Sequence, residues 1–186
     1  MSPSPEPITP VVLVGGRSRR FGRDKLQEPL GDGWLVDRPI TALREVFGRV
    51  VMVVGDCDPA VAARADGHLA DRYPGTGPAG GILAALESLG GSVLVLAGDL
   101  PRVTARTVRA VLDSAESNPR AVAAMARAAK PEPCVALYRA AAAGILQGCV
   151  ESGRSIAEVF ASLGVAYAPV APDEIVNANT PDELRA

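Results

Sequence analysis

Val11-Val-Leu-Val14-Gly15-Gly-Arg-Ser-Arg-Arg-Phe-Gly-Arg-Asp-Lys25 is the stretch that sets the reading of this chain. Four apolar residues run without a break and then give way to two glycines and a burst of cations. A continuous apolar run of this length is expected of a strand buried on both faces, as in a parallel sheet. Val50 to Val54 and Val93 to Ala97 repeat the pattern. Between these runs lie segments with apolar residues at three- and four-residue spacing, which predict helices over Pro39 to Phe47, Pro59 to Ala65, Ala79 to Leu89 and Thr104 to Ala115. In the third, Ile82, Leu83, Leu86 and Leu89 form one face. In the fourth, Thr104 is placed as the N-cap, with Thr107 and Arg109 facing solvent.

The second half predicts strands near Ala121 to Ala126, Cys134 to Tyr138 and Ala166 to Val170. Helices are expected near Ala140 to Cys149 and Ser155 to Leu163, with a short helical turn at Pro181 to Arg185. Strand and helix in regular alternation specify an α/β fold. The expectation is a single Rossmann-like three-layer α/β/α domain over residues 10–186, its sheet mostly parallel with an antiparallel strand. Residues 1–9 precede it as a flexible N-terminal tail, because the first ten residues include four prolines. That tail lacks the basic start and apolar run of a signal peptide.

Composition narrows the class. The 186 residues are 48% hydrophobic, enough for one well-buried core. Nineteen basic and 21 acidic side chains nearly cancel, which argues against nucleic acid or anionic membrane as a partner. No apolar run approaches the ~20 residues of a membrane span. Cys57, Cys134 and Cys149 are odd in number and widely spaced, so reduced thiols in a cytoplasmic protein are expected rather than disulfides or a zinc site. His68, the single histidine, is read as structural.

Open parallel sheets bind ligands beyond the carboxyl ends of their strands. After the first strand, Gly15 and Gly16 allow the backbone to approach a ligand, and successive N–H groups there can cradle phosphate oxygens. Arg17, Arg19, Arg20, Arg23 and Lys25 put five cations within nine residues, a density suited to a triphosphate. No Walker loop is present. Gly75-Thr-Gly77-Pro-Ala-Gly80 fits G-x-G-x-x-G literally, but it follows Arg72-Tyr-Pro rather than a strong strand, so a dinucleotide site is not supported there. After the strand Val93 to Ala97 comes Gly98-Asp99-Leu-Pro101. Its carboxylate, beside a phosphate loop, is a natural ligand for Mg2+, which prefers oxygen and shares its shell with substrate phosphates.

Leu13 to Lys25 resembles the L-A-G-G-x-S-x-R-M-G-x-D-K signature of the molybdenum cofactor guanylyltransferases, with Val14 for the usual Ala and Phe21 for the usual Met. Asp71 to Ile82 resembles the family's G-P-L-A-G-I segment, Gly98 to Pro101 its G-D-x-P motif, Pro133 to Tyr138 its P-L-x-x-L-Y strand, and Asn177 to Leu184 its N-x-N-T-P-x-x-L ending. The resemblance implies a nucleotide-diphospho-sugar transferase-like fold and transfer of GMP from GTP to molybdenum–molybdopterin, with release of pyrophosphate. It implies that Leu13, Gly15, Gly16, Arg17, Ser18, Arg20 and Gly22 bind the triphosphate end, and that Asp71, Gly77, Pro78 and Gly80 lie along the nucleoside. Asn177 and Asn179 are implied to hold the metal or the acceptor. Lys25 and Arg19 are the implied catalytic cations and Asp99 the catalytic, metal-binding carboxylate. Arg154 and Ser155 are candidates to face the acceptor phosphate. Implied partners are GTP, molybdopterin and proteins that accept or deliver the cofactor. Gly15-Gly16 and Asp24-Lys25 lean toward guanine. A cytidylyltransferase of the same fold, and a GTP-binding regulator without turnover, remain as alternatives.

Overall fold

The computed structural model describes residues 7–15, 24–48, 50–55 and 57–178. A seven-stranded sheet forms its centre. The first strand, β1, is Ile8–Val14. A short antiparallel ribbon follows, β2 (Pro29–Leu30) with β3 (Gly33–Trp34). The alternation then runs α1 (Asp37–Phe47), β4 (Val51–Val54), α2 (Pro59–Ala62), β5 (Gly67–Ala70), α3 (Pro78–Leu89), β6 (Ser92–Ala97) and α4 (Ala105–Ser117). It ends with β7 (Ala123–Arg127), β8 (Pro131–Tyr138), α5 (Ala143–Ser152), α6 (Ile156–Phe160) and β9 (Val165–Pro169).

The strand order is β5-β4-β1-β6-β8-β7-β9. β8 alone runs against its neighbours, pairing antiparallel with both β6 and β7, while the other large-sheet pairs are parallel. The expected α/β fold with one antiparallel strand is what the structure has. From β1 the chain builds outward through β4 to β5, then crosses back along α3 to lay β6 on the other side of β1. The order therefore reverses between β1 and β6, and sheets of this kind open their binding crevice at such a reversal.

Alternation along the strands explains the three layers. Leu94 and Leu96 of β6 enter the cluster that contains Ile40 and Leu43 of α1 and Val108 and Val111 of α4. Val93 and Val95 point the other way, toward Ile82 and Leu83 of α3, Leu146 of α5 and Phe160 of α6. Period-two side chains thus feed two cores, one under each helical layer. On the second face, Tyr138 and Phe160 meet edge to face with centroids 5.7 Å apart, and the Tyr138 hydroxyl donates to the Pro133 carbonyl at 2.8 Å.

Several boundaries differ from the sequence reading. Residues 8 and 9, expected in the N-terminal tail, belong to β1, because their backbones pair with Ser92 and Val93 of β6. β5 was not expected: it is four residues at the sheet edge, Gly-His-Leu-Ala, too short and too mixed to show a period. His68 sits on it, exposed. The helix expected over Pro59 to Ala65 stops at Ala62, and the one expected over Ser155 to Leu163 is only Ile156–Phe160. Ala140–Ala142 form a 3₁₀ turn before α5. Thr107, expected to face solvent, is fully buried, because the segment near Glu174 covers it; Arg109 is exposed as expected. The helical turn expected at Pro181 to Arg185 lies outside the described residues.

Phe160 is nearly fully buried and supports the helical layer farthest along the chain. Phe160→Ala is expected to cost about 3–5 kcal/mol, with a fall in thermal midpoint of roughly 10 °C, read by circular dichroism melting.

Candidate active site

The reversal between β1 and β6 opens onto a cleft of about 1130 Å³ at the carboxyl edge of the sheet. Its floor is the ends of these two strands and the turns that leave them. Gly98 donates its N–H to the Leu13 carbonyl at 2.9 Å and Gly55 donates to Val14 at 3.2 Å, so three strand ends are tied level. Gly15 leaves β1 with φ 134°, a conformation that suits glycine. A Cβ on Gly98 would stand 3.1 Å from the Leu13 carbonyl, so glycine is what allows β1 and β6 to end this close together.

Lys25 returns to this floor from the far side of the first loop. Asp24 caps the 3₁₀ turn Lys25–Gln27 by accepting from the Leu26 N–H at 3.0 Å. That turn aims Lys25 inward, and its Nζ donates to Asp99 Oδ2 at 2.5 Å. Both side chains are largely shielded, with 21% and 15% exposure. A cation and a carboxylate thus share one point above the β1–β6 junction.

One wall is the loop from β5 to α3. Asp71 accepts from the Tyr73 N–H at 2.8 Å, a local turn that presents Pro74 and Gly75 to the cleft. Gly77, with φ 67°, is the N-cap of α3 and Pro78 its first residue, so the positive end of a twelve-residue helix opens into the cleft. The opposite wall carries Cys134 and Asn177. The Ala178 N–H donates to the Asp99 carbonyl at 2.9 Å, which brings the end of the described chain over the metal-binding candidate.

Of the expected site residues, Leu13, Gly15, Lys25, Asp71, Gly77, Pro78, Asp99 and Asn177 line this one cleft. Gly80 does not. A Cβ there would meet Thr76 Oγ1 at 2.1 Å and the Tyr73 carbonyl at 2.8 Å, so Gly80 lets α3 pack on its own entry loop, and it is Gly81 that reaches the cleft. Its glycine-rich stretch does follow a strand, β5, contrary to the sequence reading. Even so, Gly80 inside α3 is spent on Tyr73 rather than on a ligand. Gly16, Arg17, Ser18, Arg19, Arg20, Gly22 and Asn179 lie outside the described residues. Arg154 and Ser155 do not reach the cleft: Ser155 caps α6 in a reciprocal pair with Glu158, and both are exposed.

The sequence reading gave Asp24 no site role of its own and passed over Gly55 and Gly81, all three of which the fold brings to the cleft. Asp24 was visible only as part of a motif, and the other two only as small residues at turns. Glu132 was also missed. Burial raises its carboxyl above the usual carboxylate range; the Cys134 N–H at 3.1 Å opposes the shift and the Asp99 charge adds to it. Burial, aided by the Glu132 and Asp99 charges, pushes the Cys134 thiol far above its ordinary value, so it is a neutral packing group and not a nucleophile.

Asp99 and Asn177 offer oxygen donors of the kind a hard divalent cation takes. Among the described residues, no group of three or more His, Cys, Asp or Glu stands ready as a metal cluster. A cation here would take further ligands from substrate. The residues present fit such an ion.

The model of the MobA-like NTP transferase domain family matches residues 10–166. A protein named molybdenum cofactor guanylyltransferase from Rhizobium meliloti (strain 1021) is 32% identical over 195 residues, which cover 94% of this chain and 88% of that one. One named probable molybdenum cofactor guanylyltransferase from Opitutus terrae is 34% identical over 109 residues, spanning 56% of this chain and 54% of the relative. The crystal structure of molybdopterin-guanine dinucleotide biosynthesis protein A from Archaeoglobus fulgidus superposes with a TM-score of 0.75 at 29% identity, covering 95% of each chain.

Two variants separate packing from site. Gly80→Ala is expected to lower stability by about 1–3 kcal/mol through overpacking against Tyr73, read as a drop in melting temperature. Glu132→Gln keeps an acceptor for the Cys134 N–H but no longer ionises. Because the folded carboxyl titrates above its ordinary 4.5, its contribution to stability is present below that value and lost as pH rises through the folded pKa. The variant should therefore melt higher than wild type at neutral pH, with the difference closing in acid.

Proposed function

The chain belongs to the MobA-like NTP transferase family, and from that premise we propose that it transfers GMP from GTP to molybdenum–molybdopterin, giving the guanine dinucleotide cofactor and pyrophosphate. The observation that carries this reading is the meeting of Lys25 and Asp99 at 2.5 Å above the junction of β1 and β6, in a cleft edged by glycine turns and a helix N-terminus. That arrangement suits a metal-bound triphosphate rather than a covalent intermediate. The thiol at hand, Cys134, is held neutral.

A phosphate oxygen of the acceptor attacks the α-phosphorus of GTP, the bond to the bridging oxygen breaks, and pyrophosphate leaves. The attacking oxygen is already ionised at neutral pH, so no general base is required. Positioning and charge neutralisation supply the rate. Lys25 and Arg19 take charge on the triphosphate, and Gly15, Gly16, Arg17, Ser18, Arg20 and Gly22 hold its phosphates. Asp71, Gly77 and Pro78 flank the nucleoside, where backbone groups reach a flat purine edge. Asp99, with Asn177 and Asn179, would hold Mg2+, which would supply positive charge to offset that of the triphosphate. Cys57, Cys134 and Cys149 stand as thiols rather than disulfides, which supports a cytoplasmic setting. Proteins that accept or deliver the cofactor complete the set of partners.

Pyrophosphate release with molybdopterin, Mg2+ and either GTP or CTP tests the reading. GTP turnover well above CTP is expected. The reverse preference identifies the cytidylyltransferase alternative, and GTP binding without pyrophosphate identifies a regulator. Lys25→Ala and Asp99→Ala should each lower kcat/KM by about 10²-fold or more in a folded protein.

A further inference from the structure

We propose that Thr107 and Glu174 are positioning residues whose hydrogen bond fixes how the C-terminal segment lays Asn177 and Ala178 against Asp99. The inference rests on the assignment of Asp99 and Asn177 to the site made above.

Thr107 stands in the first turn of α4 and is fully buried. Its hydroxyl donates to Glu174 Oε2 at 3.1 Å, across 67 residues of sequence. The same oxygen lies 3.5 Å from the Thr104 N–H, which donates to it. The Thr104 hydroxyl is a third neighbour, 3.4 Å away. A hydroxyl has one proton to give, and with that proton on Glu174, Thr107 Oγ1 accepts from Thr104. Glu174 lies in the 3₁₀ turn Pro172–Ile175, near the positive end of α4, where a carboxylate is favoured.

Both ends of the following short segment land on one stretch of the fold. Glu174 is held by Thr107, and four residues on the Ala178 N–H is held by the Asp99 carbonyl. Between them Ile175 packs on the core, Val176 is 55% exposed, and Asn177 lines the cleft. Asp99 itself leads through Leu100 and Val103, both buried, into the first turn of α4 that carries Thr107. The segment is therefore pinned at two points to the strand-to-helix connection that presents Asp99. The Thr107 bond holds the segment upstream of Asn177 and the Ala178 bond holds it downstream, so loss of the first loosens the approach of Asn177 to the cleft. The chemistry assigned to the cleft gives Thr107 no direct part; its hydroxyl is engaged with Glu174 and Thr104. Its influence runs through Glu174.

The test uses the full chain with Thr107→Val, which keeps the buried volume, Thr107→Ser, which keeps the hydroxyl, and Glu174→Ala, which acts from a half-buried position. Amide hydrogen exchange at Ala178 should quicken about tenfold or more in Thr107→Val and in Glu174→Ala, and return toward wild type in Thr107→Ser. Turnover kcat/KM should fall by about tenfold in the first two, recover in the serine variant, and fall no further in the Thr107→Val/Glu174→Ala double variant, as expected of two ends of one contact. Unchanged exchange at Ala178 in both single variants, or failure of serine to restore it, overturns the inference. A wild-type protein without GTP turnover overturns the functional reading instead, and the exchange measurement still decides the latch.

Discussion

The parallel pairing of β1 with β6 is the constraint on which the rest of the molecule depends. Ile8 to Leu13 lie against Ser92 to Ala97 in unbroken register. Because the two strands end level, the turn that begins at Gly15 and the turn at Gly98-Asp99 leave the sheet side by side. Because side chains alternate, a slip of one residue would send Val93 and Val95 to the wrong core and turn the end of β6 away from its present face. Asp99 is therefore placed by packing many residues upstream of it, and Lys25 and Ala178 find it from opposite directions in sequence.

The strands that carry this constraint were legible because they are buried on both faces and so are written as plain apolar runs. Asp99 was legible for the same reason: it is the first charge after such a run. Convergence was not. Lys25 and Asp99 are 74 residues apart, and nothing in either motif states that they bond to each other. Short edge structure escaped as well. β5 is half exposed and contains Gly67 and His68, so neither its length nor its composition announces a strand. Glycines proved ambiguous in a specific way. Gly15 and Gly98 serve close approach at the cleft, whereas Gly80 serves the contact between α3 and Tyr73, and a turn-rich sequence does not distinguish the two uses. Thr107 was misread because an amphipathic pattern reports which residues face the sheet, not whether a later segment returns to cover the other flank.

β8 gives the two halves of the sheet different character. On one side of it, β6, β1, β4 and β5 are joined by parallel pairings only; on the other, β8 and β7 form an antiparallel unit joined by a three-residue connection, with β9 parallel at the edge. Cys134 and Glu132 sit where β8 enters the cleft region, which is why a carboxyl that is raised by burial lies close to the Asp99 charge. One wall thus carries a carboxyl raised by burial and a neutral thiol, while the wall it faces is edged by glycines.

That asymmetry has a consequence for the order in which the molecule comes into being. The β7–β8 unit joins near neighbours in sequence and can form as soon as it is made, whereas β1 must wait for β4 on one edge and longer still for β6 on the other, since long-range parallel pairing is intrinsically late. During synthesis the Val11-Val-Leu-Val14 run is therefore a sticky surface that gains β4 as its first native partner and keeps its other edge open until β6 is made. The Asp99 carbonyl waits longer still, for residue 178. A growing chain can build the shell of its cleft before it can close the cleft's far wall, so the power to hold a nucleotide should mature on the ribosome ahead of the power to use it.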